Sequence, residues 1–107
     1  MMTRAVYQDA LKAVNKVRKA AGKSLLVELP TRYAICGSAK RCALTLALKD
    51  CGANCTLHTV ISFQTKKQAA LAEKAWKTTR KGVGDTWALL PKELSLFVAR
   101  FDEGIHS

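Results

Sequence analysis

Val6, Ala10, Val14, Val17 and Ala21 recur every three or four residues, so a helix would place them on one face, and Gly22 supplies the usual stop. This spacing predicts a helix from about Thr3 to Ala21 whose apolar stripe must be covered by other elements. At about 100° per residue, Lys12, Lys16, Lys19 and Lys23 fall within an arc of about 60° on the same wheel, almost opposite the apolar stripe. A charged outer face is ordinary for a surface helix. Four like charges at i, i+4, i+7 and i+11 with no acidic relief nevertheless repel mildly, which makes a functional use of the ridge worth testing.

Downstream, Pro30 interrupts Ser24–Leu29, and Thr31–Cys36 reads as a short strand. Gly37 and Ser38 resemble a turn and N-cap before a largely buried helix over about Ala39–Lys49. Cys55–Phe63 alternates apolar and polar side chains and is rich in Thr, Val and Ile, which predicts a strand with Cys55, Leu57, Ile61 and Phe63 facing inward. Its expected partner is the segment 31–36. Thr65 followed by Gln68 has capping-box spacing and opens a helix to about Lys81 that buries Ala69, Ala72, Ala75 and Trp76. Lys66, Lys74, Lys77 and Lys81 lie on its other side. Trp87–Leu90 leads to Pro91 at a first helical turn, and Leu94, Phe97, Val98 and Phe101 give the last helix an i, i+3, i+4, i+7 stripe ending before Gly104. The expectation is a mostly helical α+β fold: one domain over 1–107, about four helices, a small two-stranded antiparallel sheet backed by helix, and a frayed C-terminal tail.

A chain of 107 residues with 49% apolar composition can close a modest core without staples. It has no apolar run long enough to span a bilayer and no apolar N-terminal leader, which points to the cytoplasm and away from membranes. The formal net charge is +10, and it is unevenly placed. Residues 1–23 and 64–81 each carry six cations against one acid, whereas 82–107 is net −2. Nucleic acid, or another polyanionic or acidic protein surface, is the partner such segregation suits, with Lys12, Lys16, Lys19, Lys23, Lys66, Lys74, Lys77 and Lys81 as the phosphate-binding candidates. Helix-turn-helix architecture is not expected, because the Pro30-containing stretch after Gly22 far exceeds a turn of roughly 3–4 residues.

Cys36, Cys42, Cys51 and Cys55 lie within twenty residues, with His58 close behind, so a tetrahedral thiolate zinc site is formally open. The spacing argues against it. Only Cys51 and Cys55 form a tight knuckle, and Cys42 falls on an apolar helix face, so free thiols and no cofactor are expected. Catalysis has little support either: the two histidines, His58 and His106, stand in no Ser/His/Asp pattern, and Gly82-Val83-Gly84 is too short to cradle a nucleotide. Trp76 and Trp87 adjoin apolar stripes and read as core rather than as base-stacking platforms.

The blocks Asp9-Ala-Leu-Lys-Ala-Val-Asn-Lys-Val-Arg-Lys-Ala-Ala-Gly22, Leu29-Pro30, Cys42-Ala-Leu-Thr-Leu-Ala-Leu48 and Leu96-Phe-Val-Ala-Arg-Phe-Asp-Glu-Gly104 resemble small uncharacterised proteins of actinobacteria and their phages. The resemblance implies a phage or mobile-element setting, where small proteins bind DNA or bind and inhibit a host protein. The functional expectation is therefore a small basic nucleic-acid-binding protein, with a protein-binding inhibitor or a zinc-stabilised module as alternatives. A homodimer through the final helix or a sheet edge is also expected, because Leu96 stands outside its stripe and the acidic Asp102 and Glu103 suit a lysine face of a second copy. The cysteine spacing generates the first prediction: purified protein should hold far less than one zinc per chain and melt at the same temperature with and without chelator. Stoichiometric metal with chelator-induced loss of helical circular dichroism would establish the zinc module instead.

Overall fold

The computed structural model describes residues 3–35, 38–78 and 84–104, less the side chains of Tyr33, Asp102 and Glu103. Four α-helices, α1 (Arg4–Ala20), α2 (Ala43–Ala47), α3 (Lys66–Trp76) and α4 (Lys92–Gly104), accompany three strands, β1 (Ala53–Thr56), β2 (Val60–Phe63) and β3 (Trp87–Leu89). The fold is mostly helical α+β, with an antiparallel sheet in the order β1-β2-β3. Helix α1 packs on α3 and α4, α3 lies against β2 and β3, and α2 lies against β1. Val14, Val17, Leu44, Leu48, Ile61, Phe63, Leu94 and Phe97 are the large side chains withdrawn completely from solvent, and they join one continuous core.

The long helices follow their apolar stripes. Thr3 caps α1 by accepting the Val6 N–H at 3.2 Å. At the other end, Gly22 (φ 75°) donates to Lys19 O and Lys23 to Arg18 O, a Schellman closure that reverses the chain. Helix α3 opens on the expected capping box, with Gln68 N–H to Thr65 Oγ1 and Thr65 N–H to Gln68 Oε1. It stops earlier than its periodicity suggests, because Lys77 turns into the left-handed region (φ 58°). The rest of the expected continuation to Lys81, residues 79–81, and the expected frayed tail at 105–107 lie outside the described residues.

The sheet has three strands where the sequence suggested two. Cys55–Phe63 is not one strand. It turns at His58-Thr59, with Leu57 N–H donating to Val60 O at 2.8 Å, and becomes the β1/β2 hairpin. Neither turn residue is Gly or Asn, so the usual hairpin signal is missing, and Leu57, expected inside, is 47% exposed. The second partner of β2 is β3, with Ile61 opposite Ala88 and Ser62 opposite Trp87. Among the described residues of the segment, 31–35, none pairs with it: Thr31–Tyr33 forms a single 3-10 turn after Pro30. Helix α2 is also shorter than Ala39–Lys49. The Ala39 carbonyl accepts from Thr56 N–H and from the Thr45 hydroxyl, both at 2.8 Å, so tertiary partners take the group a helix would use. Cys42, rather than Ser38, stands at the N-cap.

Gly52 joins α2 to the sheet. Its φ is 95°, its carbonyl accepts from Gln64 N–H at 2.9 Å, and a Cβ there would run into the Gln68 side chain that closes the capping box. Gly22 shares the positive φ, but a Cβ there meets nothing within 4 Å. Gly52→Ala should therefore cost about 1–3 kcal/mol and Gly22→Ala about 1 kcal/mol. Thermal melts followed by circular dichroism should separate the two by several degrees, and equal melting temperatures would remove the role assigned to the Gln68 contact.

Candidate polyanion-binding face

Lys12, Lys16 and Lys19 project from α1 on the side away from its buried residues, and all three are exposed. Their positions differ by four and then three residues, so they stand about 6 Å and 4.5 Å apart along the axis. None is ion-paired among the described residues. Lys23 does not continue this ridge. The Schellman turn removes it from the helix wheel and brings its ammonium within electrostatic reach of Cys51, beside Asp50. On α3, Lys66, Lys67 and Lys74 are exposed, as is Lys77 at its end, while Glu73, the acid that the sequence sets among them, is buried. Lys66 is also engaged with Asp85 at 3.2 Å in a solvent-exposed pair. Lys81 lies outside the described residues. The two lysine-bearing helices pack directly on each other, pinned where the Trp76 indole N–H donates to the Ala13 carbonyl at 2.8 Å. Trp76 is thus a core residue, whereas Trp87 is only half-buried.

Arg18 belongs to the cationic N-terminal segment by sequence but contributes nothing to its surface. Its side chain is 6% exposed, and it faces Asp50, which is 53% exposed, at 2.7 Å. The guanidinium donates Nη1 to Asp50 Oδ1 and to Ala47 O, Nη2 to Asp50 Oδ2, and Nε to Ser24 O. This bidentate pair floors a cleft of about 470 Å³ bordered by Leu26, Glu28, Leu46 and Lys49. Two more α1 side chains act on the same stretch of chain: the Asn15 carboxamide bonds both Leu26 N–H and Leu26 O, and the Tyr7 hydroxyl accepts Leu29 N–H. Sequence reasoning missed this seam. Its signal was nonetheless present, since Tyr7, Asn15 and Arg18 lie on one flank of the α1 wheel.

The cysteines are dispersed through the fold. Cys42 is buried at the start of α2, Cys51 is buried after it, and Cys55 on β1 bonds Ser62 Oγ at 3.1 Å. Burial first, then the Asp50 carboxylate, pushes the Cys51 thiol up, opposed by Arg18 and Lys23. Cys36 lies outside the described residues, and among the described residues no three Cys, His, Asp or Glu side chains gather as metal ligands. His58 is exposed in the hairpin turn. No described helix is long and apolar enough to cross a membrane. No protein-family model, curated protein or solved structure matches the chain.

Removing Arg18 would leave the Ala47 and Ser24 carbonyls without their donor, whereas neutralising Asp50 affects a half-exposed carboxylate. Arg18→Met should therefore cost about 2–4 kcal/mol and Asp50→Asn about 1 kcal/mol or less. Urea unfolding should return that order; the reverse would place the weight of the contact on the charge pair alone.

Proposed function

We propose that the protein binds the phosphates of nucleic acid through the Lys12, Lys16 and Lys19 ridge, with the α3 lysines extending the positive field. One observation carries this reading: the ridge is exposed and without ion pairs among the described residues, on a helix whose remaining faces are fixed by packing and by the loop seam. Like charges held close on a rigid surface are costly alone and are relieved by a polyanion that releases its counterions. From Lys12 to Lys19 the ridge offers lysine point charges but no arginine fork, because Arg18, the arginine within that span, is committed to Asp50. Backbone contacts without base reading follow, so affinity should vary little with sequence.

The test is a salt titration of binding to a random-sequence duplex, read by fluorescence anisotropy. Each of Lys12→Gln, Lys16→Gln and Lys19→Gln should lower the slope of log affinity against log salt by about 0.9. Lys23→Gln should change it less, because that side chain has left the ridge. Undetectable binding at low salt, or a triple variant that binds like the parent, would reduce the ridge to solvated surface.

A further inference from the structure

The segment that the α1 seam holds displays two large aliphatic side chains in water: Leu25 is 58% exposed and Val27 is 93% exposed, with Leu26 between them turned inward. The segment is not a loose loop. From Lys23 to Leu29 it runs back along α1, fastened at Ser24 O by Arg18, at both polar groups of Leu26 by Asn15, and at Leu29 N–H by Tyr7. One carboxamide can bond the N–H and C=O of a single residue only if both point the same way, which is the extended conformation, and Asn15 thus imitates the rung of an antiparallel ladder. The chain is extended as far as Leu26 and bends at Val27-Glu28; in the trans peptides on either side of Leu25 and after Leu26, the Leu25 N–H, Leu25 C=O and Val27 N–H therefore point to the edge opposite α1. Among the described residues, neither Leu25 nor Val27 makes a backbone hydrogen bond. A preorganised strand edge is therefore open beside two exposed aliphatic side chains.

We propose that residues 23–27 are a docking strand, which takes up an extended protein segment carrying alternating apolar side chains and an acidic residue that meets Lys23. The backbone groups of Leu25 and Val27 supply main-chain bonds, and their side chains supply cross-strand apolar pairs. Because the edge is already ordered, the partner alone loses conformational freedom on binding. The net charge of +10 and the exposed Lys19 and Lys23 outweigh the exposed Glu28 beyond the bend, and the two lysines at the Lys23 end of the segment select an occupant whose acidic residue lies there. A lipid surface fits poorly, since hydrocarbon would leave those N–H and C=O groups unsatisfied and Glu28 follows directly. A second copy fits poorly too. The antiparallel register that sets Leu25 opposite Val27 runs each copy past the other's bend at Val27-Glu28 toward the buried Leu29, and brings two strongly basic chains together.

Selection of a random twelve-residue peptide library displayed on phage against the full chain tests the inference, independently of the lysine ridge. The expected result is enrichment of peptides with alternating β-branched or aromatic residues and at least one Asp or Glu. Their affinity should fall about tenfold or more on Leu25→Ser/Val27→Ser, remain within twofold on Lys12→Gln/Lys16→Gln, and coincide with slowed amide exchange at Leu25 and Val27. Both variants alter exposed side chains, and an unchanged circular dichroism spectrum confirms that they fold. No enrichment over the Leu25→Ser/Val27→Ser chain overturns the proposal, as do selected peptides that leave exchange at Leu25 and Val27 unchanged. Binding to phosphatidylserine vesicles that is lost on the double serine variant would assign the patch to lipid, and a dimer mass lost on the same variant would assign it to a second copy; either result also overturns it.

Discussion

The guanidinium of Arg18 is the point at which chain segments far apart in sequence meet. It joins the C-terminal end of α1 to Ser24 of the return segment, to the last carbonyl of α2 and to Asp50 ahead of the sheet. An arginine so enclosed must have partners for its charge and its N–H groups, because an unpaired buried cation would cost several kcal/mol. Two carbonyls and a carboxylate meet that demand in one plane, which the fork of an arginine allows and a lysine would not. Asn15 and Tyr7 extend the seam with neutral groups. A stretch that lacks regular secondary structure, Lys23–Leu29, thereby has its backbone polar groups matched on one edge by side chains of α1 rather than by a neighbouring strand.

What was legible in the sequence was what depends on local period and on short-range capping. The stripes of α1 and α4 repeat at helical spacing and bury Ala10, Val14, Val17, Leu94, Phe97 and Val98, with Val6, Ala21 and Phe101 at the stripe ends only partly covered, and the Thr65/Gln68 box closes as its spacing implies. What was not legible depends on partners distant in the chain. Trp87–Leu89 is too short to declare itself a strand, and it becomes one because β2 lies beside it with an open edge. The hairpin at His58-Thr59 has no turn-forming residue, so an alternating run read as one strand is folded back on itself. Ala39–Arg41 leaves the helical path because Thr56 and Thr45 claim the Ala39 carbonyl. The lysine arc was visible from the wheel alone, but Lys23 was assigned to it because the wheel was continued past Gly22, where the chain has already reversed.

Charge counting likewise misjudged individual residues. Arg18 and Glu73 entered the tally of their segments as surface charges, one adding to the basic excess and the other offsetting it. Both are buried, so the exposed part of α1 is less basic than its composition and that of α3 more so. The distinction lies in position on the wheel. Arg18 sits on the flank of the apolar stripe, where a long side chain is drawn over the core edge, and Lys12, Lys16 and Lys19 sit opposite it, where nothing competes with water.

A helix has room for about three such sectors, and α1 uses them all: an apolar stripe toward the core, a polar flank toward the return segment and a cationic ridge toward solvent. The proposed phosphate face and the proposed docking strand are consequently set on one rigid element, and neither requires the other to rearrange. Coupling between two ligands needs either a two-state element that both bias or a direct field between them. Here only the field is available. A polyanion on the ridge would weaken the attraction of Lys23 for an acidic partner, and the effect would extend over roughly 8 Å at physiological ionic strength. Lys19 stands in the last turn of α1, beside the Schellman turn that carries Lys23, whereas Lys12 lies about 10 Å before Lys19 along the axis. Any interference between the two ligands should therefore be carried by Lys19 and should vanish at high salt, whereas coupling that survived high salt would require motion of α1 against the seam.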